Sequence, residues 1–262
     1  MSEWWKYTLS DFLLFSPRTY YRLIERHNDA VWPGQLATLA LGVAILGLLY
    51  RPAWERRRII AGIVAVLWAF VAVAFLWKRY ATINWGATYF AWLFAIEAVL
   101  LVRLSFRPGR DVAAILGVGL FVFSLALYPL LAPLQGRGWR QSEIFGVAPD
   151  PTVLATLGLL LVAEGPPRWW TLAVPLLWCV VSGATLWAMG SPEAWILVLA
   201  AILVLGQARR AIEECNRDAV LDADLGLAPG LDKRPVGALA QQRMATHNDL
   251  CDALRQRHVA RP

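Results

Sequence analysis

The stretch "IIAGIVAVLWAFVAVAFLW", residues 59–77, indicates the fold most clearly, because it contains no charged side chain. A helix rises about 1.5 Å per residue, so a segment of this length approaches the roughly 30 Å thickness of a bilayer's hydrocarbon core. Its apolar residues are continuous and do not alternate with polar ones, which favours a helix over a barrel strand. We therefore predict a membrane-spanning helix here.

Other apolar blocks follow the same pattern along the chain. Hydrophobic residues make up 58% of the 262 residues and charged residues 17%, against about 25% charged residues in soluble domains. In lipid, only helices and closed barrels provide hydrogen-bond partners for all of their backbone N–H and C=O groups. We predict an all-α, polytopic transmembrane bundle of about seven spans. The predicted blocks are residues 31–50, 59–77, 86–102, 112–131 and 169–189, with weaker ones at 152–163 and 194–206.

Three regions are predicted from these blocks. Residues 1–30 form an N-terminal amphipathic segment, 31–206 the helical bundle, and 207–262 a short helical tail. In the first region, Ser16 before a proline is typical of a helix N-cap. Arg18, Arg22 and Arg26 then recur every four residues. Such a helix either lies in the interface with its arginines on lipid phosphates or docks on the bundle with its arginines in water.

The signature of a polar residue followed by proline recurs before two other apolar runs, at Asp150 and at Ser191. We predict that Asp150 is an N-cap, because its carboxylate can accept from backbone N–H groups in the first helical turn. A second interpretation depends on length. Residues 151–164 would form only about 21 Å of helix, and short helices bounded by proline or glycine often line transport sites. Both interpretations stay open.

Glu97 is a carboxylate well inside a clear apolar block. An ionisable residue at that depth is a functional hypothesis by default. The alternative is a structural glutamate that stays neutral or bonds to Ser182 or Thr185 of another span. We treat Glu97 and Asp150 as the candidates for a substrate or ion pathway.

Loop charges predict the orientation of the bundle. With seven spans, one side of the membrane receives 17 of the 25 Lys and Arg residues and the other side receives 8. The positive-inside rule then places the C-terminus in the cytoplasm and the N-terminus outside. The expected location is the inner (plasma) membrane, and no nucleic-acid partner is expected.

The tail after residue 207 differs in composition from the bundle. Residues 225–237 are rich in glycine and proline, as a linker would be. His247 and Cys251 lie four residues apart, but two ligands do not make a metal site. We predict no metal and no cofactor. We expect a solvated tail or one that docks other proteins, with a homo-oligomer as a further option.

Two motifs resemble those of a bacterial family of multi-pass membrane proteins of unknown function. One is an Asn-x-Ala-x-Trp-Pro entry to the first span, and the other is a Phe-Gly-x-x-Pro-x-Pro-Thr entry to the fifth. The resemblance covers roughly residues 10–206 and implies a membrane fold without an activity. The matching positions are Asn28, Ala30, Trp32, Pro33, Phe145, Gly146, Pro149, Pro151 and Thr152.

Two functions remain open from the sequence. The favoured one is a small transporter or channel for an ion or small solute. The alternative is a non-catalytic membrane subunit, scaffold or assembly factor of a larger complex. The spans carry no catalytic triad, phosphate-binding loop or paired histidine ligands, so we do not expect an enzyme.

Overall fold

The computed structural model describes residues 15–50, 54–103, 112–163 and 169–224, and these residues form helices without any strand. The predicted all-α class is therefore confirmed for the described part of the chain. The α-helices are α1 (Pro17–Val31), α2 (Gly34–Leu49), α3 (Trp54–Phe70), α4 (Ala87–Leu101), α5 (Val112–Val122), α6 (Leu131–Leu134), α7 (Pro149–Val162), α8 (Trp169–Ala188) and α9 (Ala194–Asp224).

Two of these helices continue in a different geometry. A π-helical segment, Val71–Trp77, extends α3, and another, Phe123–Leu127, extends α5. Short 3-10 turns at Tyr80–Thr82, Tyr128–Leu130 and Trp139–Gln141 follow. The quoted stretch 59–77 is thus helical to its end, but its last third is more loosely wound.

The lengths of the apolar helices support a membrane location and show how many of them are long enough to cross a bilayer. Within the described residues, four helical stretches are long and apolar enough to cross a bilayer: Arg58–Thr82, Ala113–Leu134, Trp169–Ala188 and Ala194–Glu213. The pair formed by α1 and α2, bent by 86°, makes a fifth if it counts as one broken span. The remaining apolar helices, α4 and α7, have 15 and 14 residues. At about 1.5 Å per residue they are shorter than the hydrocarbon core, so the predicted count of seven is not confirmed.

Helix α1 is amphipathic and docks on the bundle with one face. Ser16 caps it as predicted, since its Oγ accepts from the Thr19 backbone N–H at 3.3 Å. The inward side chains are buried, among them Tyr20 and Ile24. The arginines predicted on the opposite side, at positions 18, 22 and 26, are all exposed.

Helix α7 lies inside the bundle and is buried along almost its whole length. Its contact with α5 is especially close at two glycines. A Cβ atom on Gly158 would lie 2.5 Å from the Gly117 carbonyl oxygen, and one on Gly117 would lie 2.4 Å from the Gly158 carbonyl oxygen. Small residues let helix backbones approach in membrane proteins, where dispersion replaces the hydrophobic effect between helices. The outer helices instead expose large apolar residues, such as Val66 and Val99, as lipid-facing surfaces do.

The start of α9 differs slightly from the prediction. The pattern of Ser191 followed by proline predicts a helix that starts at Pro192, whereas α9 starts at Ala194. The Ser191 hydroxyl donates to the Glu193 carboxylate at 3.0 Å. The helix continues through the predicted short tail helix to Asp224. The described residues 205–224 belong to a second unit, which is helical and carries an Arg209–Glu213 ion pair of 3.4 Å. The predicted linker, residues 225–237, and the His247–Cys251 pair lie outside the described residues.

Candidate functional site

Asp150 is not the N-cap of α7, so that prediction is wrong. Ala148 occupies the cap position and has extended backbone angles, while Pro149 is the first residue of the helix and Asp150 the second. Proline suits the first turn of a helix because the N–H groups there have no intrahelical partner. With two prolines in this turn, the helix starts two residues earlier than the cap interpretation assumed.

The Asp150 carboxylate instead accepts hydrogen bonds from two other parts of the bundle. The indole Nε1 of Trp178 donates to Oδ1 at 2.7 Å, and the Ser182 hydroxyl lies 2.8 and 2.9 Å from the two carboxylate oxygens. The Tyr128 hydroxyl donates to Oδ2 at 3.3 Å. Asp150 itself is completely buried. It therefore ties α7 to α8 and to the turn that follows α5.

The Phe-Gly-x-x-Pro-x-Pro-Thr motif forms the turn that delivers Asp150 to this position. Gly146 has a φ of +74°, a left-handed conformation that glycine adopts at low cost. A Cβ there would also lie 2.8 Å from a methyl carbon of Leu67. The Thr152 hydroxyl accepts from the Gly146 N–H at 2.8 Å and donates to the Ala148 carbonyl at 2.6 Å. This local network fixes the entry into α7.

The Asn-x-Ala-x-Trp-Pro motif packs against the same loop. The Asn28 amide donates to the carbonyl oxygens of Arg140 and Ser142, both at 2.8 Å. The neighbouring His27 ring nitrogen lies 3.2 Å from the Val147 carbonyl oxygen. The Trp32–Pro33 peptide bond is cis. The two sequence motifs are thus parts of one structural unit at the same end of the bundle.

Three further charged residues lie at this end of the bundle, and the sequence did not single them out as a site. Arg137 forms an ion pair with Glu193 and stacks over the Tyr21 ring at 4.1 Å from its centroid. Glu143 is buried and accepts from the Tyr20 hydroxyl at 3.3 Å. Burial, reinforced by the nearby Asp150 charge, raises the pKa of Glu143 well above its usual value. The Glu143 carboxyl is therefore more readily protonated than an exposed glutamate.

A cavity of about 210 Å³ lies beside Asp150. Two of the donors to Asp150, Trp178 and Ser182, form part of its wall, so the carboxylate lies directly behind the lining. The cavity is partly polar and partly aromatic. Its lining residues are Tyr20, Tyr80, Asn84, Gly86, Ala87, Phe90, Trp178, Val181, Ser182, Thr185 and Leu186.

Glu97 does not line this cavity. It lies on the buried face of α4, and neither carboxylate oxygen has a hydrogen-bond partner among the described residues. The partners considered from the sequence are engaged elsewhere, since Ser182 donates to Asp150 and Thr185 donates to the Val181 carbonyl. The structure therefore places Asp150 behind the wall of a cavity and leaves Glu97 apart from it.

Within the described part of the chain, no group of three or more His, Cys, Asp or Glu side chains is arranged to hold a metal ion. The polar groups around Asp150 are hydroxyls, an indole and carboxylates. This set can hold a charge in a fixed place and bind a solute by hydrogen bonds.

Comparison with known proteins identifies the family without assigning an activity. A model of a family of unknown function, DUF6064, matches residues 18–217. Neither a curated protein nor a solved structure matches the chain. The matched region includes both motifs and every residue of the cavity wall. The resemblance to a family of unknown function is thus confirmed: the chain belongs to the DUF6064 family.

Proposed function

We propose that this protein is a small transporter or channel of the inner membrane, and that its solute enters the cavity beside Asp150. The observation that carries the proposal is the cavity itself. This space of about 210 Å³ has a partly polar wall, and a buried carboxylate, Asp150, lies behind that wall. Polar groups in membrane interiors are costly and often mark pathways for ions or solutes. The proposal assigns the protein no catalytic chemistry.

The helices around the cavity support this function. Helix α7 has 14 residues, is surrounded by protein and starts with two prolines around the buried Asp150, and short helices bounded by proline commonly bring a terminus to a transport site. The continuations of α3 and α5 are π-helical, a distortion found frequently at functional sites. Phe75 in the first lies 5.9 Å from Tyr80 of the cavity wall, measured between ring centroids.

We also propose that α2, α3, α4, α5, α7, α8 and α9 correspond to the seven predicted membrane segments. In this arrangement the N-terminus lies outside and the C-terminus in the cytoplasm, as the distribution of Lys and Arg indicates. The two motifs and the cavity then lie toward the outer side. Lipid covers the outer helix surfaces, and the exposed arginines of α1 lie near the headgroups.

Filling the cavity should stop solute flux. Thr185 lines the cavity and is half-buried, whereas Val180 on the same helix points away from it and is 65% exposed. Thr185→Phe adds a ring where the solute would pass, so we expect at least a tenfold loss of flux. Val180→Phe adds a comparable volume toward lipid and should retain flux.

The flux is measured in proteoliposomes by light scattering after mixing with choline chloride, potassium chloride, glycine or glycerol. Protein-dependent swelling with at least one solute, lost only in Thr185→Phe, supports the proposal. Identical swelling of protein-containing and empty liposomes in every solute would contradict it.

The alternative function is a non-catalytic membrane subunit or scaffold. One observation favours it: both Asp150 oxygens are already occupied by protein donors, as expected for a purely structural tie. A scaffold would show no flux and would copurify from native membranes with a defined stoichiometric partner or as a homo-oligomer. The tail after Leu205 would be the first region to test for such contacts.

A further inference from the structure

Four of the six polar side chains of the cavity wall donate their hydrogens to other groups of the protein. The Trp178 indole N–H donates to Asp150 at 2.7 Å, and the Ser182 hydroxyl donates to the same carboxylate at 2.8 Å. The Tyr20 hydroxyl donates to Glu143 at 3.3 Å. Two buried carboxyl groups behind the wall therefore occupy three of its donors.

A fourth donor is also occupied, because the Thr185 hydroxyl donates to the Val181 carbonyl at 2.8 Å. A hydroxyl has one hydrogen to donate and two lone pairs that accept. Once the hydrogen is used within the protein, only lone pairs remain for a ligand. The two remaining polar side chains of the wall, Tyr80 and Asn84, share a hydrogen bond with each other. The cavity thus offers mainly acceptors.

Aromatic rings form much of the remaining wall. Tyr20, Tyr80, Phe90 and Trp178 all line the cavity. The face of an aromatic ring carries partial negative charge and attracts cations. Ring faces and hydroxyl lone pairs therefore favour the same kind of ligand, one that is positively charged and able to donate hydrogen bonds.

The size of the cavity narrows the ligand class. A dry cavity of about 150 Å³ can hold benzene, so a cavity of about 210 Å³ has room for a small organic molecule. The wall presents no carboxylate directly, since Asp150 is completely buried behind it, and so lacks the charged oxygen ligands that divalent metal ions prefer. These features fit an alkylammonium group better than a metal ion.

We propose that the cavity binds a small organic cation of the ammonium class. As a statement about the transported substrate, this inference rests on the proposed transport function. As a statement about binding, it rests only on the cavity wall. Asp150 and Glu143 act from behind the wall by holding its hydroxyl and indole hydrogens away from the ligand.

The test compares choline with its neutral carbon isostere, 3,3-dimethylbutan-1-ol, by calorimetric titration of the full-length protein in lipid nanodiscs. The two molecules have nearly the same shape and differ in charge. We expect choline to bind at least tenfold more tightly than the isostere. Ethylammonium, which can donate hydrogen bonds, and tetramethylammonium, which cannot, serve as further ammonium probes and separate the contribution of the hydroxyl lone pairs from that of the ring faces.

Two matched substitutions locate the binding. Phe90 lines the cavity and contacts the Trp178 ring. Phe94, one turn further along α4, also contacts the Trp178 ring but does not line the cavity. Phe90→Leu should weaken choline binding about three- to tenfold, in keeping with the loss of one cation–π contact. Phe94→Leu should leave the choline affinity within twofold of the native value.

Equal affinity for choline and its isostere would overturn the inference, as would the absence of binding by all three cations. An unchanged choline affinity in Phe90→Leu would overturn the assignment to this cavity. Flux of an uncharged solute without cation binding would leave the proposed transport function standing and remove the ligand class. Cation binding without any flux would keep the ligand class and contradict the proposed transport function.

Discussion

Gly158→Leu is expected to abolish the folded bundle. A Cβ at this position would lie 2.5 Å from the Gly117 carbonyl oxygen and 2.9 Å from the Phe121 backbone nitrogen. Both neighbours are backbone atoms, so they can move only if α5 and α7 separate. Because Asp150 lies on α7, that separation would also disturb the cavity. Overpacking typically costs about 1–3 kcal/mol and sometimes more, and we expect about 3 kcal/mol or more here.

The measurement is thermal unfolding in detergent, followed by size-exclusion chromatography. Gly119→Leu is the matched control, because a Cβ at Gly119 of α5 would meet nothing within 4 Å. We expect Gly119→Leu to keep a native elution profile and Gly158→Leu to aggregate. A Gly158→Leu protein as stable as the control would show that α5 and α7 are not in this close contact.

Asp150→Ala is expected to cost on the order of 3–5 kcal/mol, because it leaves several buried donors without an acceptor at about 1–3 kcal/mol each. These donors are the Trp178 indole and the hydroxyls of Ser182 and Tyr128. Asp150→Asn keeps one acceptor oxygen and should lose about half as much. Thermal unfolding of the purified variants in the same detergent gives the comparison.

The Asp150→Ser variant distinguishes two roles of Asp150, a hydrogen-bonded link between helices and an N-cap of α7. Serine is a good cap and would restore stability at a capping position, but its short side chain cannot accept from all these donors. We expect the serine variant to resemble alanine. Asp150→Ala combined with Ser182→Ala should cost less than the sum of the two single changes, since the groups share one hydrogen-bond network. Full rescue by serine, together with strict additivity, would restore the cap interpretation.

The apolar blocks predicted the helices because a bilayer leaves few other structures available. The stretch 59–77 lies within α3 and its π-helical extension, and the block at 86–102 corresponds to α4. The π-helical geometry was not predictable from these residues, since apolar side chains on every face give no sign of where the winding loosens. The cap at Ser16 was predictable because it depends only on adjacent residues.

The site was predictable only in part. Asp150 and the motif around it marked the right place, but the role of Asp150 depends on Trp178 and Ser182, which lie 28 and 32 residues further along the chain. Glu143 and Arg137 resembled ordinary loop charges, which usually face water. The burial of Glu143 and the partial burial of Arg137 follow from the docking of α1 and of the loop before α7, a tertiary arrangement that local sequence does not encode.

The proposal that solute enters the cavity beside Asp150 is tested most directly by asking whether water reaches this cavity in the intact membrane. The measurement uses Thr185→Cys and Val180→Cys in a protein whose three native cysteines, Cys179, Cys215 and Cys251, are replaced by alanine. A membrane-impermeant trimethylammonium methanethiosulfonate reagent is added outside intact cells, with and without excess choline. We expect Thr185→Cys to be labelled and choline to slow the labelling, while the lipid-facing Val180→Cys stays unlabelled. Labelling of Thr185→Cys only from the cytoplasmic side would reverse the proposed orientation. No labelling of Thr185→Cys from either side would contradict a solute-accessible cavity.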